Sequence, residues 1–100
     1  MIVYLIRERF DDGMTGAESE SYDNIVMSKG GYKTKEEAYA VCKEMAEVRL
    51  KTFTEWYNME FENDFRPEEP GIEYDEEKYE VKTWYVFDDY TYYVDELEVH

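Results

Sequence analysis

Neighbouring carboxylates are the side chains of this sequence that could do chemistry. Asp11 and Asp12 are adjacent, Asp88 and Asp89 form a second pair, and residues 75–77 read Asp-Glu-Glu. Carboxylate oxygens can bind a divalent cation, and a calcium loop needs them at alternating positions with a bidentate glutamate at the twelfth. No stretch of the sequence has that order. The acidic pairs are therefore more typical of solvated turns than of a metal site, and we expect no metal and no cofactor.

Other residue types that support catalysis are scarce. The chain has one histidine, His100, at its last position, and one cysteine, Cys42. These two residues cannot complete a four-ligand zinc site, and no nucleophile motif or glycine-rich phosphate loop occurs. Cys42 falls on the apolar side of a predicted helix, where a small core residue is favoured over a reactive thiol. We expect a protein that is not an enzyme.

Acidic charge is concentrated in the second half of the chain. The formal net charge is -15; residues 1–51 hold ten acids and eight bases, and residues 52–100 hold sixteen acids and three bases. A surface charged only for solubility should give both halves a similar net charge, so this asymmetry favours a directed acidic face for a basic partner. An acidic loop that only keeps the protein in solution is the alternative. Direct binding to nucleic acid or to an anionic membrane is disfavoured, because each phosphate contact would be repulsive.

The carboxylates of the second half are the predicted partner-binding residues. A nucleic-acid duplex presents about one negative charge per 1.7 Å of its axis. A protein that competes for a nucleic-acid-binding groove needs similarly dense charge on a rigid frame, because ordering a flexible segment costs binding energy. Aromatic residues between the acids could anchor that frame. The candidates are Glu62, Asp64, Glu68, Glu69, Glu73, Asp75, Glu76, Glu77, Asp88 and Asp89.

The composition predicts one folded domain that comprises residues 1–100. At 18% aromatic residues the chain is too rich in Tyr, Phe and Trp for a disordered acidic protein. A single cysteine excludes an internal disulfide, the N-terminus is too short and too charged for a signal peptide, and no apolar run reaches membrane-spanning length. We expect a protein of the bacterial host cytoplasm with no membrane partner.

Local patterns predict the elements that must position the acids. Alternating and β-branched residues predict strands at 2–10, 22–28, 79–87 and 91–99, with a tight turn at 88–90. The sequence T-K-E-E from Thr34 is a capping box, which predicts a helix from near Lys35. At 100° per residue, the apolar residues of this helix fall in one broad arc, and this apolar arc continues to about Phe61.

The region between this helix and the third predicted strand reads as an irregular acidic connection, residues 62–78, because it contains Pro67, Pro70 and Gly71. The predicted fold is α+β: an antiparallel sheet of about four strands in ββαββ order, with one long helix packed on one face. The opposite face of the sheet, which is partly exposed to solvent, is expected to carry tyrosines, whose rings are apolar and whose hydroxyls are polar.

Arg49 and Glu60 interrupt the apolar arc of the predicted helix. We expect Arg49 to form an ion pair inside the monomer, either with Glu60 or with an acid of the sheet. A contact across a dimer is the alternative.

In overall character the chain resembles the small acidic inhibitor proteins of phages and prophages, such as anti-CRISPR and anti-restriction proteins. The shared features are about 100 residues, many Tyr and Glu, a single domain and no cofactor motif. The resemblance implies a non-catalytic inhibitor in the style of a DNA mimic. Such a protein occupies the basic nucleic-acid-binding site of a host defence nuclease. No residue motif matches, so no functional residue is transferred.

Two questions about the partner stay open at this point. Several inhibitors of this type act as dimers, so a homodimer is an option beside a nucleic-acid-binding protein partner. The alternative function is a small adaptor or structural protein that binds its partner through a Tyr-rich sheet face or an edge strand.

Overall fold

The structure is a computed structural model and describes residues 1–13, 21–27, 30–61 and 67–99. Its elements follow in the order ββαβββ and form one antiparallel sheet with strand order β2-β1-β5-β4-β3, packed against one helix. The predicted α+β class with a single helix is confirmed, but the sheet has five strands instead of about four. The elements are β1 (Ile2–Asp12), β2 (Ser21–Ile25), α1 (Lys35–Glu60), β3 (Gly71–Asp75), β4 (Glu80–Tyr85) and β5 (Asp88–Glu98).

The helix begins and ends where the sequence predicts. The Thr34 hydroxyl oxygen accepts a 3.1 Å hydrogen bond from the backbone N–H of Glu37, so Thr34 is the N-cap. The last helical residue is Glu60, ahead of Pro67. No helix in the described ranges combines the length and apolar character that crossing a membrane requires.

β3 is the additional strand, and it lies inside the region predicted to be irregular. Ile72 and Tyr74 alternate with Glu73 and Asp75, which is the two-residue period of a strand with one packed face. Pro67, Pro70 and Gly71 suggest a loop, but they all stand before or at the start of the strand. An edge strand also tolerates charged side chains that a central strand would bury.

The turn between β4 and β5 was predicted at residues 88–90, and that prediction is wrong. Tyr85 pairs with Asp88, so Val86 and Phe87 form the turn and Asp88 begins β5. Val86 has φ 55, which is uncommon for a β-branched residue but suits the two-residue turns that join twisted strands.

α1 covers one side of the sheet, which we call the inner face. Residues paired directly across antiparallel strands share a face, so the register assigns every strand residue to the inner or the outer face. Ile6, Val81 and Tyr92 belong to the inner face and are at most 1% exposed. They pack against Ala38, Tyr39, Cys42 and Ala46 of the helix. Cys42 is fully buried, which confirms its predicted place in the core.

The strand tyrosines lie mostly on the inner face, contrary to the expectation of a Tyr-rich open face. By register, Tyr93 is the strand tyrosine of the described chain that points outward. The rings on the inner face pack beside the helix while their hydroxyls reach its charged flanks, as amphipathic side chains do. Three hydroxyls near the rim donate hydrogen bonds to helix glutamates: Tyr74 to Glu47, Tyr79 to Glu36 and Tyr85 to Glu60.

Candidate interaction surfaces

Most of the predicted partner-binding residues lie around β3. Glu62 and Asp64 fall outside the described residues. Six others flank or belong to the β3–β4 hairpin, and we call residues 68–80 the acidic hairpin: Glu68, Glu69, Glu73, Asp75, Glu76 and Glu77. Asp88 and Asp89 lie apart from these six, at the start of β5.

The carboxylates of the acidic hairpin lie outside the ion pairs of the described part of the chain. No ion pair there involves any Asp or Glu from residue 68 to residue 80. Asp75 instead fixes the turn, because its Oδ1 accepts hydrogen bonds from the backbone N–H groups of Glu77 and Lys78 at 3.1 and 3.0 Å. Glu68, Glu69, Glu73, Glu76 and Glu77 are exposed.

The ion pairs found between described residues all use acids of β1, β2 and β5. Arg7 pairs with Asp23 at 3.0 Å, and Arg49 pairs with Glu8 at 3.4 Å. The remaining pairs are Arg7–Asp95, Lys35–Glu96 and Lys82–Asp89. These five pairs therefore direct their Arg and Lys side chains to acids that lie outside residues 68–80.

Asp88 and Asp89 point to opposite faces, as successive strand residues must. Asp89 is on the outer face, where Lys82 lies 3.7 Å away. Asp88 is on the inner face, directly paired with Asp12. Burial raises the pKa of Asp88, and the charges of Asp12 and Asp89 raise it further. These two aspartates therefore do not form one continuous surface with the acidic hairpin.

The outer face of the sheet carries both signs of charge. Arg7 Nε donates hydrogen bonds to Asp23 Oδ1 at 3.0 Å and to Tyr93 Oη at 3.1 Å, and Arg9 lies over the Tyr93 ring. Near β3, a shallow hollow brings together Glu73, Asp75 and Glu80 with Arg9, Lys82 and Thr91. The outer side of the acidic hairpin is thus negative but bordered by two bases.

A second surface, which was not predicted, lies between α1 and β1. The helix packs on β4 and β5, touches β1 less, and makes no contact with β2 among the described residues. As far as residues 1–13, 21–27, 30–61 and 67–99 show, the inner face over β1 and β2 therefore stays partly open, and a groove of about 380 Å³ runs beside the helix. We call it the α1 groove; its walls include Val41, Met45, Val48, Thr52 and Trp56 of the helix, with Glu8 and Tyr92 of the sheet.

Arg49 forms the polar part of the floor of the α1 groove. Its Nη2 donates to Glu8 Oε2 at 3.4 Å, and its guanidinium carbon lies 3.9 Å from the centre of the Tyr90 ring. Tyr22 Oη donates to the other oxygen of Glu8 at 2.6 Å. The prediction that Arg49 pairs inside the monomer with an acid of the sheet is confirmed, whereas Glu60 accepts a hydrogen bond from Tyr85.

Comparison with protein-family models, curated proteins and solved structures finds no match for this chain. No group of three or more metal-ligating side chains gathers within the described ranges. On the described part of the chain, the acidic hairpin and the α1 groove are two surfaces whose charge and exposure suit the binding of another molecule. The charge of the acidic hairpin could be anticipated from the run of acids, whereas the α1 groove depends on how much of the sheet the helix covers.

Proposed function

We propose that this protein is a non-catalytic interaction protein whose acidic hairpin occupies the basic nucleic-acid-binding site of a protein partner. It acts as an inhibitor of the phage-encoded type, and a host defence nuclease is the class of partner. The observation that carries the proposal is the absence of ion pairs at the carboxylates of residues 68–80 within the described chain, beside the paired acids of β1, β2 and β5. Carboxylates that are not held in an ion pair keep more of the field that attracts a basic surface.

Contacts with the rest of the protein hold the acidic hairpin in place. Thr83 Oγ1 donates to the backbone oxygen of Gly71 at 2.8 Å, and the Trp84 ring covers the same glycine. Tyr74 Oη donates to Glu47 of the helix at 2.9 Å. A partner would not have to order this backbone, so less of the interaction energy would be lost to conformational entropy.

The register of the hairpin places like charges together at a cost to its own stability. Asp75 and Glu80 are directly paired across β3 and β4, while Glu73 faces Lys82. Like charges directly opposite each other destabilise a sheet by roughly 0.2–1 kcal/mol. A basic partner would relieve that repulsion. The repulsion is then weaker in the bound protein than in the free protein, and this difference favours binding.

Charge reversal tests the proposal on the four exposed acids Glu68, Glu69, Glu76 and Glu77. The wild-type protein, immobilised and exposed to a bacterial host lysate, is expected to capture a nucleic-acid-binding protein. Added duplex DNA should compete for that capture, and raised salt should weaken it because the contact is electrostatic. Replacing the four acids with Lys is expected to abolish the capture.

A matched variant controls for the change in net charge. Replacing Asp11, Glu37, Glu55 and Glu98 with Lys alters the formal charge by the same amount at exposed positions outside the hairpin. Circular dichroism of both variants checks that each is folded. Equal capture by the hairpin variant and the wild type, or capture that DNA does not compete, would refute the proposed function.

A further inference from the structure

The wall of the α1 groove is an apolar stripe of the helix that the sheet does not cover. Val48 is 63% exposed, Trp56 51% and Met59 74%. With Val41, Met45 and Thr52, these residues recur three or four positions apart, which places them along one side of the helix. Such spacing is typical of a helix surface that packs against a second helix.

The width of the sheet explains why this stripe stays open. Five strands about 4.8 Å apart span roughly 19 Å between the outer strand axes, and packed helices lie about 8–10 Å apart. A sheet of this width therefore has room for two helices on one face. α1 packs on β4 and β5, so among the described elements the room left over β1 and β2 is that of one further helix.

Charges around the α1 groove define what kind of helix would fit. Glu8 and Glu44 line the groove, and Arg49 is already paired with Glu8 at 3.4 Å. Farther along the inner face, Asp12 follows on β1 and is directly paired with Asp88 on β5. The raised pKa of Asp88 reflects its burial and then these neighbouring charges. A ligand with positive charge along its flanks would be complementary to this surface.

We infer that the α1 groove binds an amphipathic helix of a protein partner, with an apolar stripe facing Val48 and Trp56 and lysines or arginines on its flanks. The groove wall from Val41 to Trp56 covers about 22 Å at 1.5 Å per residue, which corresponds to a partner helix of roughly 15 residues. A second copy of this chain is the less complementary occupant, because each copy carries a formal charge of -15.

This surface is separate from the acidic hairpin and does not depend on it. The α1 groove lies toward β1 and β2, whereas β3 is at the opposite edge of the sheet. A partner could engage both surfaces, or two partners one each.

Peptide binding to the full chain tests the inference. The probe is an 18-residue peptide of Leu and Lys whose leucines follow helical spacing, and its control is a shuffled peptide of the same composition that cannot form an apolar stripe. Binding is followed by backbone amide chemical shifts at physiological salt. We expect the amphipathic peptide to bind at least tenfold more tightly than the shuffled one, with shift changes along residues 41–56 and on β1.

Two lysine substitutions on α1 separate the groove from general charge effects. Val48→Lys places a cation on the apolar stripe and is expected to weaken the affinity at least tenfold. Thr54→Lys makes the same change of charge at an exposed position, six residues after Val48. At 100° per residue, position 54 faces away from the groove. This substitution should alter the affinity less than twofold. Both positions are exposed, so both variants are expected to fold.

The competing outcomes are distinct. Equal affinity for the two peptides, shift changes confined to residues 68–80, or an unaffected Val48→Lys variant would each overturn the inference. Sedimentation that shows a dimer disrupted by Val48→Lys would overturn it in favour of a second copy. The four-acid hairpin variant should still bind the amphipathic peptide to within about threefold, so failure of one proposal is distinguishable from failure of the other.

Discussion

Arg49 Nε of α1 donates a 2.6 Å hydrogen bond to the hydroxyl oxygen of Tyr92 on β5. Tyr92 is 1% exposed, so the bond joins the floor of the α1 groove to the core. Burial acts to lower the pKa of Arg49, but the hydrogen bond with Tyr92 and the charge of Glu8 outweigh it and the net shift is upward. The charge of Arg49 is therefore kept on the apolar side of the helix, where it links α1 to β1 and β5.

The first prediction concerns the hydroxyl of Tyr92. Tyr92→Phe removes the acceptor of the Arg49 bond and leaves a partly buried guanidinium N–H without that partner. The free energy of unfolding is expected to fall by about 1–3 kcal/mol, the usual cost of leaving a buried donor unsatisfied. Urea denaturation at neutral pH, followed by circular dichroism, measures the change.

Tyr39→Phe is the matched control. Tyr39 is 4% exposed, and its hydroxyl is the buried side-chain polar atom of the described chain that has no hydrogen-bond partner there. Removing it should leave stability unchanged or raise it by up to about 1 kcal/mol. Equal destabilisation by both substitutions would show that loss of a tyrosine hydroxyl, and not the Arg49 bond, accounts for the effect.

The helix could be predicted because its signals are local. Thr34 supplies the N-cap, and the apolar period runs through to the end of the helix. The same period groups core residues such as Ala38 and Cys42 with Trp56 and Met59, which are largely exposed. Periodicity shows which residues share a side of a helix, but the width of the sheet decides how much of that side is covered. The α1 groove could therefore not be read from the sequence.

The strands also show what local sequence patterns cannot predict. Asp88 and Asp89 favour a turn by local preference, yet both belong to β5, because that strand pairs along its whole length with β1. This pairing joins the two ends of the chain, and nothing local to either end encodes it. The run of acids identified the charged residues of 68–77, but only the register shows that they belong to a hairpin and that Asp88 and Asp89 are not part of it.

The second prediction concerns Asp88, whose pKa is raised in the folded protein first by burial and then by Asp12 and Asp89. A raised carboxyl pKa means that the fold favours the protonated form, so the stabilisation is present at low pH and is lost as pH rises through the folded pKa. At pH 7 the ionised side chain destabilises the fold, and Asp88→Asn should raise the free energy of unfolding by about 0.5 kcal/mol, allowing for solvent screening.

The measurement is urea denaturation of the wild type and Asp88→Asn between pH 3 and pH 7. The advantage of the variant should shrink as pH falls, because protonated Asp88 no longer repels its neighbours. Glu98→Gln, at an exposed position of the same strand opposite the apolar Ile2, is the control for removing one charge. An advantage for Asp88→Asn that does not change with pH would contradict the electrostatic origin.

The third prediction concerns Gly71, which is directly paired with Trp84 across β3 and β4. A Cβ at Gly71 would lie 2.5 Å from the Trp84 ring atom Cζ2. Gly71→Ala should therefore displace the indole and lower the free energy of unfolding by about 1–3 kcal/mol, as overpacking does. Thermal unfolding measures the loss. The total destabilisation of the double variant Gly71→Ala, Trp84→Leu should be smaller than the sum of the destabilisations of the two single variants. Additive effects would mean that the two residues do not interact.

The fourth prediction concerns stability at alkaline pH. Burial, followed by the hydrogen bonds to Glu8 and Glu60, raises the pKa of Tyr22 and of Tyr85 to about 12 each, from an unfolded value of 10.0. The folded protein then holds these protons while the unfolded chain releases them, so stability is full below pH 10 and falls as pH rises from 10 to 12.

Absorbance at 295 nm should show tyrosines that ionise near pH 12 in the folded protein and near pH 10 in urea. Tyr22→Phe and Tyr85→Phe should each reduce the loss of stability between pH 10 and pH 12, because each removes one group that the fold holds protonated. Equal slopes for both variants and the wild type would contradict a contribution of the hydroxyls bound to Glu8 and Glu60 to the alkaline loss of stability.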